Sequence, residues 1–262
     1  MSTLLRSSRS RKYTIAPLAG LVVLSLSGCG GNAGTGNAVR VRGVDAITNS
    51  VTADIEVNNG SAFGDMAYFQ VTNYQYMKQG NLQMTSLTNF TNPPVLSPGI
   101  YNVPVYSGQY YTIFMYGRTD VATTSPEYIN VAATQDTPKP QAPSGDALIR
   151  LVIAAPDINT TATGTGAVDV TVNGSIPAGF SDQAYIVPGN AFLDAPFAVV
   201  PAGNSAIQVN VTGTTTPVVP AQTVTLAAGQ AYTVVVVEPK GGGTGAAPTA
   251  AGSTFGLQLI TD

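Results

Sequence analysis

The chain has 262 residues, 11 basic and 14 acidic side chains, one cysteine, and no histidine or tryptophan. No Ser-His-Asp or Cys-His arrangement can be built from this set. His- or Cys-ligated zinc or copper sites are excluded too, as is a disulfide within one chain. Charge is sparse, with no run of one sign, so the basic patch that nucleic acid requires is missing.

At the N-terminus, Arg6, Arg9, Arg11 and Lys12 precede an apolar run from Ile15 to Leu26 and the small residues Ser27 and Gly28. This is the order of a secretory signal, and the run falls short of the roughly 20 residues that span a bilayer. Leu26-Ser27-Gly28-Cys29 resembles the lipobox of bacterial lipoproteins at every position. The resemblance implies cleavage after residue 28, acylation of Cys29 and a lipid-anchored place in the cell envelope. Gly30, where an aspartate would retain the protein at an inner membrane, implies the outer membrane or cell surface. An ordinary signal peptide or anchor with an incidental cysteine is the alternative. Removing the four basic residues of segment 1–28 leaves 7 basic against 14 acidic side chains, a net charge of −7. That balance argues against polybasic lipid binding. Residues 29–37, glycine-rich after Cys29, read as a flexible tether.

From residue 38 onward, short runs rich in Val, Thr, Tyr and Ile are punctuated by Gly and Pro, the pattern of an all-β sandwich or barrel. A Pro-rich linker at 134–145 (TQDTPKPQAPSG) divides this part into 38–133 and 146–262. The two parts share four matches in order. Val39-Arg40-Val41-Arg42 corresponds to Ile149-Arg150-Leu151-Val152. Asp54 to Ser61 corresponds to Asp169 to Ser175, and Gly80-Asn81 to Gly203-Asn204. Gly108-Gln109-Tyr110-Tyr111-Thr112-Ile113 corresponds to Gly229-Gln230-Ala231-Tyr232-Thr233-Val234. The order suggests a tandem duplication. Asn59-Gly60 and Asn173-Gly174 read as hairpin turns. The strand from Tyr232 to Val237 is apolar on both faces, which predicts a central strand buried from both sides.

The set Ile-Arg-Leu-Val, Val-Asp-Val-Thr-Val-Asn-Gly, Val-Pro-Ala-Gly, Leu-Ala-Ala-Gly-Gln-Ala-Tyr-Thr-Val and Leu-Gln-Leu-Ile-Thr-Asp, spread over 147–262, resembles the domain of unknown function 4397. The resemblance is weaker over 38–133, where Met77-Lys78-Gln79-Gly80 stands for Val-Pro-Ala-Gly, and Asn159 to Gly166 lengthen a loop of the second part. It implies an immunoglobulin-like sandwich and supplies no catalytic residues. The expected fold is therefore all-β, with two tandem immunoglobulin-like antiparallel β-sandwich domains behind a signal peptide and tether.

Candidate sites are few. Tyr110, Phe114 and Tyr116 fall on one face of a strand in a tyrosine-rich domain and offer an aromatic row for a glycan or protein partner. Core packing, or contact between the two domains, is the plainer alternative. Asp157-Ile158-Asn159-Thr160-Thr161 begins like a calcium loop but lacks a third acid and a closing glutamate, so no metal site is assigned. Asp54 and Glu56 are the only close carboxylate pair in a strand, and an exposed pair of this kind usually guards a sheet edge. Gly241 to Gly245 lacks the Gly-Lys-Ser/Thr end of a phosphate loop. The expectation is a lipid-anchored, non-enzymatic protein without cofactors, in a structural, adhesion or binding role. An enzyme acting on envelope glycans through carboxylates and a subunit of a surface assembly are the competing readings. The membrane, reached through Cys29, and a protein or glycan at the cell surface are the expected partners.

Overall fold

The computed structural model describes residues 38–48, 52–88, 95–96, 101–156, 158, 167–186, 193–238 and 255–262, with backbone only at 86–88 and 95–96. Cys29 and its flanking signal, the tether, the candidate calcium residues Asp157 and Asn159 to Thr161, and the loop Gly241 to Gly245 lie outside the described residues. Residues 33–262 cluster as one compact unit.

Alternation at period two and frequent turn residues give an all-β chain. The first part contains β1 (Ala38–Ile47), β2 (Thr52–Val57), β3 (Gly60–Ala67), β4 (Gln75–Lys78), β5 (Gly80–Thr88), β6 (Val95–Leu96), β7 (Tyr101–Val105), β8 (Tyr110–Gly117) and β9 (Asn130–Gln135). The second contains β10 (Asp146–Ile153), β11 (Ala167–Val172), β12 (Gln183–Ala184), β13 (Ala198–Pro201), β14 (Gly203–Val211), β15 (Pro217–Leu226), β16 (Ala231–Val237) and β17 (Gly256–Thr261).

Four sheets result. In the first sandwich, β4-β1-β8-β9 faces β3-β2-β5-β6, with β7 also paired to β5. In the second, β13-β10-β16-β17 faces β12-β11-β14-β15. The sheets are antiparallel, as expected, except at β1–β8 and β10–β16, which run parallel. A parallel pair needs a long crossover, and here the intervening chain supplies it by building most of the opposite sheet.

The core of the first sandwich is made by Val39, Val41, Ile47, Ile55, Phe63, Met84, Ile113 and Met115, among others. Gly43 belongs to that inner face of β1. A Cβ there would stand 2.7 Å from Ile55 Cδ1, so the close approach of the two sheets requires glycine. The outer face of the same sheet carries Val44, Ala46, Phe114, Tyr116 and Ala132, and these join the hydrophobic cluster of the second sandwich. The sheets β4-β1-β8-β9 and β13-β10-β16-β17 thus pack face to face and are covered on both sides. This is why β16 is buried along its whole length, as its unbroken apolar run predicts.

The two sandwiches repeat the same local contacts. Hairpins form at Asn58-Asn59 and Asn173-Gly174, all with positive φ. In the first, the turn lies one residue before the expected Asn59-Gly60, because Gly60 already pairs with Val57. Asn58 Oδ1 accepts from Gln83 N at 3.0 Å and Asn173 Oδ1 from Ala206 N at 2.8 Å, each tying its hairpin to the next strand. Tyr111 Oη accepts from Tyr106 N at 3.2 Å and Tyr232 Oη from Ala227 N at 2.9 Å. A tyrosine whose hydroxyl bonds back to the backbone just upstream is the tyrosine corner of immunoglobulin-like sandwiches.

Candidate functional site

The aromatic row divides along β8. Tyr110 is half-buried, with the Arg40 guanidinium 4.7 Å from its ring centre and the Tyr74 ring edge-on at 5.1 Å. Phe114 and Tyr116 are fully buried, so the candidate ligand or partner surface is corrected at these two positions to the plainer alternative, contact between the two sandwiches. Period two identifies residues that share a face, but the second sandwich covers that face. Tyr116 packs edge-on against Tyr185 at 5.7 Å. Its hydroxyl is buried without a hydrogen-bond partner, and burial holds its pKa well above the ordinary tyrosine value.

Beside the buried aromatics, polar groups cross between the sandwiches in matching pairs. Arg42 on β1 donates from Nε to Thr112 Oγ1 of its own sandwich at 2.8 Å. It then donates from Nη1 to Thr261 O at 2.8 Å and from Nη2 to Asp262 Oδ1 at 2.6 Å, both in the other sandwich. Arg150 on β10 does the reverse. It bonds Thr233 Oγ1 of its own sandwich at 2.8 Å, Gln135 O of the other at 2.9 Å, and Asp136 Oδ1 through Nη2. Thr112 Oγ1 passes its proton side to Asp136 Oδ2 at 2.7 Å, and Thr233 Oγ1 donates to Asp262 Oδ2 at 2.8 Å. The stacking partners match as well: Arg42 lies 4.7 Å from the Tyr74 ring centre and Arg150 lies 5.0 Å from that of Phe197. Tyr74 adds a hydrogen bond from Oη to Asp136 Oδ2 at 2.8 Å. Burial and the adjacent Asp136 carboxylate hold the Tyr74 pKa above its ordinary value.

This constellation is a joint. Each arginine presents a planar fork to a backbone carbonyl and a carboxylate, a geometry that lysine does not reproduce. Both ion pairs are almost wholly withdrawn from solvent. Pairs of this kind contribute little net stability but penalise the loss of either partner. Their chemistry is therefore registration of one sandwich against the other, with each acid already occupied by several donors.

The remaining candidates hold local structure. Asp54 Oδ1 accepts from Asp65 N at 2.6 Å. Its counterpart Asp169 accepts from Asp182 N and Gly213 N, both at 2.8 Å. Glu56 is half-buried on the same face of β2 as Asp54. Among the described residues, no group of three or more His, Cys, Asp or Glu is placed to hold a metal ion. No described helix is long and apolar enough to cross a membrane.

Two further signals of the joint are present in the sequence. Phe63-Gly64-Asp65-Met66-Ala67-Tyr68 matches Phe180-Ser181-Asp182-Gln183-Ala184-Tyr185, and both terminal tyrosines touch the opposite sandwich. Tyr68 Oη donates to Glu238 O, while Tyr185 meets Tyr116. Likewise Thr134-Gln135-Asp136 matches Ile260-Thr261-Asp262, with each aspartate one residue beyond its strand.

Residues 39–162 match the family model "Domain of unknown function (DUF4397)". This stretch is similar to the domain that the family model describes. The match covers the first sandwich and runs through β10, so it contains Arg42, Thr112, Asp136 and Arg150. It lies mainly on the part whose motifs resemble the family less, and of the motif set read over 147–262 it includes only Ile149-Arg150-Leu151-Val152. A structure of a candidate cell adhesion protein from Bacteroides eggerthii DSM 20697 is 11% identical over 86% of this chain and 95% of that one. Its TM-score of 0.16 is too low to bear on fold or role. No curated protein matches the chain.

Proposed function

We propose that the protein is a lipid-anchored envelope lipoprotein that displays two β-sandwiches as one rigid unit, in a non-catalytic structural, adhesion or binding role. The observation that carries this reading is the reciprocal arginine joint. It uses the most deeply buried ion pairs to fix one sandwich on the other, as a display scaffold requires. The lipobox ending at Cys29 supports the anchor, and the repeated contacts support reading the second sandwich as another copy of the DUF4397-like unit. The partner is a protein or glycan at the cell surface.

The test is made on cells producing the full chain or a Cys29→Ser variant. Mass spectrometry of the N-terminal peptide is expected to show acyl chains on Cys29 and recovery in the membrane fraction, both lost in the variant. Cross-linking of intact cells is expected to capture one recurring protein or glycan. An unmodified Cys29 would overturn the anchor, and absence of any cross-linked species with either form would overturn the binding role.

A further inference from the structure

The two sandwiches stand side by side with their strands in the same sense. Arg42 meets Thr261 and Asp262, and Arg150 meets Gln135 and Asp136, at one level. Toward the other end, Tyr68 meets Glu238 and Tyr116 meets Tyr185. The starts of β1 and β10 therefore lie at the same end of the molecule, and the chain from Cys29 enters there at Ala38.

That end differs from the rest of the surface. Among the described residues, the three most exposed large hydrophobic side chains are Tyr76 at 68%, Tyr106 at 62% and Val199 at 51%, and all three belong to it. Tyr76 pairs with Arg40 on edge strand β4, and Val199 pairs with Leu148 on edge strand β13. Tyr106 stands in the turn before β8. Three basic residues, Arg40, Lys78 and Lys139, stand at the same place, with Lys139 Nζ donating to Asp262 O at 2.6 Å; Arg118 lies at the opposite end, paired with Asp120. Lys78 and Lys139 are exposed. The Arg40 guanidinium lies 5.1 Å from the Tyr76 ring centre and 4.7 Å from that of Tyr110. Of the acids near this end, Asp136 and Asp262 are buried in the joint, Asp146 is half-buried and Asp194 is exposed, the latter beside Leu193, whose N donates to Ala133 O at 2.8 Å. Asp54, Asp65, Asp120, Glu127 and Asp182 lie toward the opposite end, beyond the far ends of β1, β8 and β5 or beside them. Among the described residues, the exposed lysines Lys78 and Lys139 thus stand at the end where β1 begins.

We infer that this end rests against the anionic headgroups of the bilayer that holds the Cys29 anchor. The inference depends on the lipoprotein reading. Eight residues separate Cys29 from Ala38, and the nine steps from one Cα to the next reach at most about 32 Å. The tether therefore delivers this end to the headgroup layer. Tyrosine rings favour the membrane–water interface, and lysine and arginine near an anionic leaflet are drawn to it within a Debye length of about 8 Å. Acids at the far end are held away from the same field. Composition alone argues against a polybasic mode, but the fold brings Arg40, Lys78 and Lys139 to this end.

The test uses the acylated full chain in phosphatidylcholine vesicles with or without phosphatidylglycerol. Since Cys29 is blocked by acylation, single cysteines introduced as Tyr106→Cys and Asp182→Cys take an environment-sensitive fluorophore, and headgroup-nitroxide lipid is the quencher. The Tyr106→Cys label is expected to be quenched several-fold more than the Asp182→Cys label. Quenching should be stronger with phosphatidylglycerol, weaker at high salt, and reduced by Arg40→Gln/Lys78→Gln/Lys139→Gln with an unchanged melting temperature. Equal quenching of the two labels, or stronger quenching at Asp182→Cys, overturns the placement while leaving the anchor intact. A mass spectrum of the same preparation without acyl chains on Cys29 overturns the anchor itself, and the placement with it.

Discussion

Arg42 donates to Asp262 across the joint at 2.6 Å, and the equivalent pair, Arg150 and Asp136, makes the same bond in the opposite direction. Each sandwich contributes one fork and accepts one. The exchange resembles the self-complementary contact of a two-fold dimer, in which residue i meets j and j meets i, here carried out within one chain. It makes the packing of the sandwiches specific in register, which a flat apolar contact alone leaves loosely defined.

Arg150→Ala should be among the most damaging single changes in the chain. It strands Asp136 in a buried site, and loss of one partner of such a pair costs about 3–5 kcal/mol. Urea unfolding of Arg150→Ala is the measurement. The double variant Arg150→Met/Asp136→Leu should recover most of the loss, since an apolar pair of similar volume removes the stranded charge. Arg42→Lys should behave as a loss of the joint, because an ammonium cannot bond Thr112, Thr261 and Asp262 together.

Tyr116→Phe should leave stability unchanged or raise it. The hydroxyl is buried with no partner, and such a group costs about 1–3 kcal/mol. Phe114→Ala, by contrast, opens a cavity in the joint and should cost about 3–5 kcal/mol. Thermal melts of the two variants distinguish a packed joint from an exposed aromatic row. A ligand-binding surface would lose binding in both and stability in neither.

Stability should fall at alkaline pH. Burial, with added repulsion from Glu238 and Asp45, raises the pKa of Tyr68 above its ordinary 10.0. Burial likewise raises Tyr74 and Tyr116. Between the unfolded and folded values, the folded chain holds more protons than the unfolded one. Stability is therefore fully present below about pH 10 and lost as pH rises further. Melting temperature recorded from neutral to strongly alkaline pH should show this decline, and Tyr68→Phe should make it shallower.

Asn173→Ala should destabilise more than Asn173→Gly. Position 173 has φ 51°, which costs an ordinary L-residue about 1–2 kcal/mol. Either change loses the 2.8 Å bond to Ala206 N, but only alanine adds the backbone penalty. Chemical denaturation of the two variants gives the difference directly, and Asn58 should show the same ranking.

Much of the fold is legible because its signals are local. The apolar run Tyr232 to Val237 marks a strand buried on both sides, and Gly108-Gln109 and Gly229-Gln230 mark equivalent turns. The first hairpin is displaced by one residue because Asn58-Asn59 adopts the positive φ usually sought at Asn-Gly. The joint is harder to read, because alternation shows that Phe114 and Tyr116 share a face without showing what covers it. Asp136 stands in a Pro-rich segment, where an acid looks solvated. Its role depends on Arg150, which is distant in function though only 14 residues away, and on a partner pair at Arg42 and Asp262 that only the fold brings alongside.

The joint locks the two sandwiches into one body, and differential scanning calorimetry of the intact chain is the measurement that checks it. One transition is expected, with calorimetric and van't Hoff enthalpies equal, and Arg150→Ala should move the whole transition to lower temperature. Two separate transitions in the unmodified chain, or an Arg150→Ala variant in which only one of two transitions moves, would contradict it.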